Sequence, residues 1–445
     1  MTSFLIASSP LLGHVSPCLT IAAELTRRGH RVRFLTGTRH RERVEVAGVE
    51  FLPLPPGADF DDRDMRSAFP QVAELTGIRG LSAAVLEVFS KPIDAQYEAV
   101  TAALEAEKVD VILTEMLFAG VYPLTLLPPE ERPRIGILGI SPLTLKGPGL
   151  PPYGMGLLPA TTTTERVRNA TLRVLARAVV LRPAQKYLSR AMRRLVGKRL
   201  PCSFFEMPGL GDALFHLGTR GFEYPRPTAR TEIIYMGPLP AKSVGGTRPE
   251  WAADLEGRTV VHVTQGTVAN ADLSALVIPT VAALAESDEL VVVSGGGRPE
   301  SEVEAAITEA LGAIPPNVRI GSYIDYDWLF PRVDILVTNG GYGGVNLALR
   351  HGVPLVIAGD TEDKPEVAAR VHWSGAGLKM RSASPSAAEV GAAIATLRND
   401  DAYRAKAASI GAEIESAPGF DAIEEFAARP GRAAAELVAG DRSTG

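Results

Sequence analysis

Two doubly wound α/β domains are the fold that this 445-residue sequence predicts. Three observations carry the expectation. The chain is longer than one hydrophobic core serves, so it divides. Short apolar, β-branched runs alternate with helix-length amphipathic stretches in both halves, the pattern of parallel sheets covered by helices. Finally, residues 335–357 read strand, glycine loop, helix, strand. That layout suits phosphate, because free N–H groups at a helix start and the helix dipole favour an anion.

The elements of the first domain follow in order. Phe4–Ala7 reads as a strand, Ser8–Gly13 as a loop, and Pro17–Arg28 as a helix with Leu19, Ala22, Ala23 and Leu25 on one face. Gly29 ends the helix and Arg31–Leu35 is the next strand, a βαβ opening that is parallel and right-handed. Further strands are expected at Gly48–Leu52, Val109–Leu113 and Arg134–Leu138. The loops after the last two open on the carboxyl edge, where such sheets bind ligands. Residues 141–158 are rich in glycine, proline and apolar side chains. Arg166–Arg199 is expected to be helical and basic, with a solvated face favoured over contact with a membrane surface. A strand at 233–236 closes the domain at residue 237, and the Pro, Gly and Ser content that follows marks an interdomain linker over 238–257.

The second domain, 258–445, opens with a strand at Thr259–Val263, a helix at Leu273–Glu286 and a strand at Leu290–Val293. Asp327 is expected to cap a short helix at Trp328–Phe330. The strand Ile335–Val337 is broken by Asn339-Gly340-Gly341, and Gly343-Gly344 leave no side chain in a ligand's way. A helix at Val345–Arg350 is stopped by Gly352-Val353-Pro354, and Leu355–Ile357 is a strand that runs into the acidic turn Asp360–Asp363.

From that loop through Gly352-Val353-Pro354 to Asp363-Lys364, the chain resembles the nucleotide-sugar signature of the family 1 glycosyltransferases, in their bacterial antibiotic and macrolide branch. The resemblance covers nearly the whole chain and fades between Asp59 and Glu105. It implies the GT-B fold, two facing Rossmann-like domains with an interdomain cleft. The first domain would bind the sugar acceptor and the second the donor, with the final helix packing back on the first domain. It also implies that the Asn339–Gly344 loop and its helix hold the donor's diphosphate.

Glycosyl transfer needs a base for the acceptor's proton, donors for the departing diphosphate, and contacts that hold the sugar for in-line attack. His14, in Gly13-His14-Val15-Ser16-Pro17, titrates in the range of such a base. The matching Gly-His-x-x-Pro of the family carries its catalytic histidine. Glu115 follows a strand at the same edge and is the candidate to orient that ring, where the family usually has aspartate. Gly266 and Thr267 offer an N–H and a hydroxyl to phosphate, and Ser294 ends a strand at the same edge. The resemblance places Tyr323 on the base of the nucleotide, with the Ile324 backbone along its edge; a core aromatic is the rival for Tyr323. It also gives Asp363 the sugar hydroxyls. The acceptor pocket it implies involves Leu12, Met116, Pro142, Tyr153 and Met155.

Three departures bear on the donor. Asn339 stands where the family often has histidine, Leu347 where many members have an acid for the ribose, and Lys364 where glutamine is usual. Lys364 is expected to compensate with positive charge near the diphosphate. Asp62-Arg63-Asp64 has the spacing of a divalent-ion pair but lies away from the phosphate loop, so no metal is expected.

The bulk properties agree. A net charge of -5 argues against a nucleic-acid partner. Two cysteines, Cys18 and Cys202, are far apart, as in a reduced cytoplasmic protein. No segment is apolar over the roughly 20 residues of a membrane span, and the short N-terminal apolar run is a strand rather than a signal peptide. The expectation is an inverting, metal-independent enzyme, monomeric or homodimeric, with no bound cofactor. It moves a hexose, glucose from UDP-glucose, to a hydroxyl of an apolar aromatic or macrocyclic molecule, with a TDP-sugar as the alternative donor. A nucleotide-sugar epimerase and a non-catalytic nucleotide-sugar binding protein are the rivals from other classes. The first turn lacks the Gly-x-Gly-x-x-Gly of a dinucleotide dehydrogenase.

Overall fold

The structure, a computed structural model, describes residues 1–75, 77–240, 248–267, 270 and 272–429. Its first sheet has seven parallel strands: β1 (Ser3–Ala7), β2 (Arg31–Thr36), β3 (Glu50–Pro53), β4 (Val111–Glu115), β5 (Arg134–Gly139), β6 (Ala213–His216) and β7 (Glu232–Tyr235), in the order β3-β2-β1-β4-β5-β6-β7. The second has six: β8 (Val260–Thr264), β9 (Leu290–Ser294), β10 (Val318–Gly321), β11 (Ile335–Thr338), β12 (Leu355–Ile357) and β13 (Gly377–Lys379), in the order β10-β9-β8-β11-β12-β13. In both sheets the strand order reverses between two central neighbours, β1 and β4 in one and β8 and β11 in the other. Loops diverge from the carboxyl ends at such a point and leave a crevice there. Strands β6 (Ala-Leu-Phe-His) and β13 (Gly-Leu-Lys) escape the sequence reading because, unlike the equally short β11 and β12, they have no β-branched run, and no alternation either.

Each sheet is buried on both faces. Phe4, Ile6 and Phe34 pack to one side of the first, and Leu5, Ile112 and Ile135 to the other. The second sheet has the same two-sided core, with Val292 and Leu336 on one face and Val291 and Val337 on the other. The helix Asp421–Ala428, late in the chain, returns to the first domain. Its Ile423 and Phe426 join the core of Phe4, Phe34 and Phe215, and its Glu424 pairs with Arg28. Residues 241–247, at the centre of the expected linker, and 430–445 lie outside the described residues. Among the described residues no helix is long and apolar enough to cross a membrane.

Several expected boundaries move, each for a physical reason. The first helix is Leu12–Arg27, so it starts five residues before Pro17 and places His14 in its first turn. Its N-cap Leu11 has no capping side chain. Instead the Leu12 N–H donates to Asp62 Oδ2 at 2.6 Å, a cap supplied from fifty residues away. The phosphate-side helix is Tyr342–Arg350, so Gly343 and Gly344 belong to its first turn rather than to a loop. The expected helix Leu273–Glu286 is a 3₁₀ turn at Leu273–Ala275 and a helix at Val277–Leu284; the Pro279 ring would clash with the carbonyl four residues earlier. The short helix Tyr326–Leu329 is capped by Asp325, not Asp327: the Asp325 carboxylate accepts the Asp327 N–H.

Candidate active site

Strand β1 turns at Ser8 and Ser9 into the helix that carries His14, and its neighbour β4 ends on Glu115. The strand order therefore puts the two side chains together. His14 Nδ1 lies 3.1 Å from Glu115 Oε2. The contact is short, but Nδ1 makes no well-aligned hydrogen bond; catalytic contacts of this kind often tighten only when substrate binds. The carboxylate itself is fully buried and held from three sides: Ser9 Oγ donates at 2.7 Å and Ser9 N at 3.3 Å to Oε1, and Leu117 N at 2.7 Å to Oε2. Burial pushes Glu115 up, but His14 and these donors bring it below the usual carboxylate range. Burial likewise pushes His14 down, yet Glu115, with Asp363 and Glu362 of the second domain, leaves its pKa above the ordinary histidine value. Phe89 stacks on the His14 ring at 6.0 Å between centroids. No sequence signal marks it, because its segment has neither motif nor periodicity of its own.

At the second crevice, Gly266 follows β8 and Asn339 follows β11. The Asn339 amide donates to the Gln265 carbonyl and so knots the two loops together. Gly340 has φ +95°, and a Cβ there would come 2.7 Å from Ile357 Cγ2. At Gly341, Gly343 and Gly344 a Cβ would meet nothing within 4 Å, so the start of the Tyr342–Arg350 helix opens on free space. Gly340→Ala is therefore expected to destabilise the protein by about 1–3 kcal/mol and to weaken nucleotide binding, read by calorimetric unfolding and titration with UDP. Unchanged stability and affinity would remove Gly340 from the loop's requirements.

The other expected donor residues are dispersed around this crevice. Thr267 is exposed beside Gly266, and Ser294 is buried at the end of β9. Tyr323 is 58% exposed, which overturns the core-aromatic reading, and its hydroxyl leans over Gly297. Ile324 buries its side chain in the second core, and Leu347 packs against the same core. Asp363 precedes the helix Lys364–Ser374 and makes no capping bond. Burial, with Glu362 nearby, pushes its carboxyl up to about 6 despite Lys364. The Lys364 ammonium is itself buried and bonded to Glu362 and Thr361, so much of its charge is already matched. The Asp62 carboxylate is likewise engaged, by Leu12 N–H and Arg39, and Asp64 caps the turn at Ser67.

Between the crevices the domains meet through polar groups that the sequence reading missed. Arg370 donates to Glu223 Oε2 and to Glu366 Oε2, both at 2.9 Å, and to the Leu143 carbonyl at 3.1 Å. Within the first domain, Arg226 donates to the Leu143 and Leu145 carbonyls and so supports the segment that Arg370 meets. The Tyr342 hydroxyl, at the start of the glycine helix, lies 2.8 Å from Nε2 of the buried His216. A side chain on Gly218 would fill the place of that hydroxyl. Glu366 also accepts the N–H groups of Gly154 and Gly156 at 2.9 Å, which fastens the segment around Tyr153 to the helix behind Asp363.

The expected acceptor residues separate into two groups. Met116 and Pro142 are buried, and Met116 belongs to the first core. Leu12 and Tyr153 are half-buried and Met155 is 40% exposed. Tyr153 packs on Phe205, and burial together with Asp363 raises its phenol above the usual range. A cavity of about 310 Å³, lined by Leu11, Met65, Phe69, Val72, Val88 and Phe89, lies next to the His14 turn. Its lining comes largely from the stretch where the family resemblance fades.

Residues 12–119 match the family model described as the glycosyltransferase family 28 N-terminal domain, and residues 280–425 the one described as the erythromycin biosynthesis protein CIII-like C-terminal domain. The chain is 38% identical over 411 residues to 4'-demethylrebeccamycin synthase of Lentzea aerocolonigenes, covering 91% of this chain and 94% of that protein. It is 34% identical over 446 residues to UDP-glycosyltransferase 2 of Phaeomoniella chlamydospora, covering 95% of each. Among solved structures, the glycotransferase of kitacinnamycin superposes with a TM-score of 0.68 at 21% identity, over 95% of this chain and 98% of that one. Fold and likeness together define a nucleotide-sugar-dependent glycosyltransferase. The chain belongs to the family 1 GT-B glycosyltransferases, in their antibiotic branch.

Proposed function

We propose that the enzyme transfers glucose from UDP-glucose to a hydroxyl of an apolar aromatic or macrocyclic molecule with inversion at the anomeric carbon. The single observation that carries this reading is the buried Glu115 carboxylate beside His14 at the crevice, with Asp363 close enough to act on the same imidazole. In this scheme His14 takes the acceptor's proton, and Glu115 orients the ring and stabilises the imidazolium that forms. The free N–H groups at the start of the Tyr342–Arg350 helix, with Thr267, receive the diphosphate as it departs. Asp363 binds sugar hydroxyls. The apolar cavity beside Phe89 seats the acceptor. A UDP donor is supported by the name of the relative from P. chlamydospora, and a small-molecule acceptor by that of the 4'-demethylrebeccamycin synthase from L. aerocolonigenes.

The test incubates the enzyme with UDP-glucose or TDP-glucose and a pool of phenolic and macrolide acceptors, with mass spectrometry of the products and NMR of the new linkage. A hexose adduct, preferred from UDP-glucose and β-linked, is the expected result. A preference for the TDP donor would overturn the nucleotide, and an α-linked product would overturn direct displacement.

Asp363 supplies a pH prediction. A carboxyl raised to about 6 that must be ionised to accept sugar hydroxyls will release its proton as the donor binds. Donor affinity should therefore rise with pH through about 6 and level off above it. In Asp363→Asn the affinity is lower and this dependence is gone, as isothermal titration at several pH values would read. An unchanged pH profile in the variant would assign the dependence to another group.

A further inference from the structure

The helix Thr163–Leu175 poses a physical puzzle. Short helices gain most of their stability by burying an apolar face, yet the one buried residue of this helix is Asn169. Leu172 is half-buried, but the helix's other large apolar side chains point outward: Val167, Val174 and Leu175 are 52–67% exposed, and Val179, in the wider turn Ala176–Val180 that follows, is 63% exposed. The neighbouring helix Gly77–Glu87, tied to this turn by Ser82 Oγ donating to the Val180 carbonyl at 2.7 Å, adds exposed Ile78 and Leu81.

The charge around this apolar patch has one sign. Between Arg166 and Arg199 the chain has eleven lysines and arginines and no aspartate or glutamate, within a protein of net charge -5. Among the described residues, only Arg194 of these cations meets a carboxylate, that of Asp94. Glu165, just ahead of the run, is consumed in the capping box with Thr162. A groove of about 630 Å³ between the Ala176–Val180 turn and the helix Arg182–Val196 gathers Arg177, Arg182 and Lys186 beside Val174.

We propose that this face docks the enzyme on an anionic lipid bilayer surface, with Val167, Val174, Leu175 and Val179 entering the headgroup boundary. Arg177, Arg182 and Lys186 would meet phosphate groups in the groove. An apolar stripe flanked by unpaired cations is the chemistry of a surface-lying helix: burial of the stripe and attraction to anionic lipid act together. A protein partner that supplied only acid would leave the stripe in water, and one that supplied only apolar surface would leave the cations unmatched. The face is also joined to the rest of the molecule at a functional place. Asn169 and Arg173 donate to the Gly149 and Gly147 carbonyls of the segment leading to Tyr153, and the Gly77–Glu87 helix contributes Ala84 to the apolar cavity. Docking itself does not depend on how that cavity is used.

The test is co-sedimentation of the full chain with vesicles of phosphatidylcholine alone, and of phosphatidylcholine mixed equally with phosphatidylglycerol, at low and high salt. The wild type is expected to bind the mixed vesicles only, and less at high salt. Reversing three cations in the triple variant R177E/R182E/K186E should weaken binding by about a hundredfold or more. V174D/V179D, which places charge in the stripe, should weaken it by at least about tenfold. These side chains are exposed or border the groove, so both variants should fold and keep the wild-type rate of donor hydrolysis in vesicle-free buffer. Wild type left in the supernatant with anionic vesicles at low salt would overturn the proposal, as would equal binding to neutral vesicles. A dimer in vesicle-free ultracentrifugation that V174D/V179D converts to monomer would overturn it too, and assign the face to a second copy of the chain.

Discussion

Replacing His14 with alanine is expected to lower glucosyl transfer about a thousandfold, within the range that a positioned general base supplies. Donor affinity should change by no more than about twofold, since the imidazole acts on the acceptor's proton and not on the nucleotide. The companion variant Glu115→Gln keeps the shape of the side chain and removes its charge. Glu115 is the largest of the groups that lift His14 above the ordinary histidine value, ahead of Asp363 and Glu362, so without it the imidazole titrates at lower pH. The acid limb of the rate profile, which marks protonation of the base, should then move to lower pH while the plateau falls by about a hundredfold or more. A purely structural Glu115 would lower the plateau and leave the limb where it was. The check is initial-rate kinetics across pH for wild type and both variants, together with titration of each with donor. A plateau that survives in His14→Ala would discard this residue as base and leave the transferase assignment untouched.

The second large effect concerns stability. Arg370 is fully buried between Glu223 and Glu366, which are buried too. The pair of carboxylates tolerates burial because the guanidinium and Arg226 match their charge; burial pushes Glu223 up, and these cations with His216 bring it well below the usual range. Arg370→Ala leaves one carboxylate without a counter-ion in a place water does not reach. The expected loss is about 3–5 kcal/mol, the cost of breaking a buried pair from one side. Arg28→Ala, which breaks the more exposed contact with Glu424, should cost only about 1 kcal/mol or less. Calorimetric unfolding of the two variants side by side makes the comparison. Equal losses would show that Arg370 is no more than a packing residue. The expected consequence reaches the site as well, because Glu366 fastens Gly154 and Gly156. With its partner removed, the segment around Tyr153 is held less firmly over the crevice, and the KM for the acceptor should rise more than that for the donor.

Much of this was legible in the chain because it depends on neighbours in sequence. A strand that must be buried on both faces shows as an apolar run, so Phe4–Ala7 and Ile335–Val337 declare themselves. A backbone that must turn sharply at φ +95° requires glycine, so Gly340 marks the end of β11. His14 and Asp363 stand at fixed offsets from such marks, and for that reason a local motif finds them.

What tertiary structure alone decided depends on groups far apart in the chain. The start of the His14 helix was misplaced because its cap comes from Asp62, not from the residue before it. Phe89 reaches His14, and Arg370 reaches Glu223 across 147 positions, with no periodicity that links them. The basic stretch after Arg166 spells a helix in sequence, but which side of it faces water follows from the contacts of its neighbours. Only the fold shows that its valines are left outside. Sequence thus determined the elements, the crevices and the class of chemistry, since local sterics and burial act within a few residues. Glu115 was expected beside His14 from its place at the neighbouring strand's end, and the fold sets their distance. The lock between the domains and the uncovered apolar face arose from topology, because each depends on segments that only the folded sheets bring together.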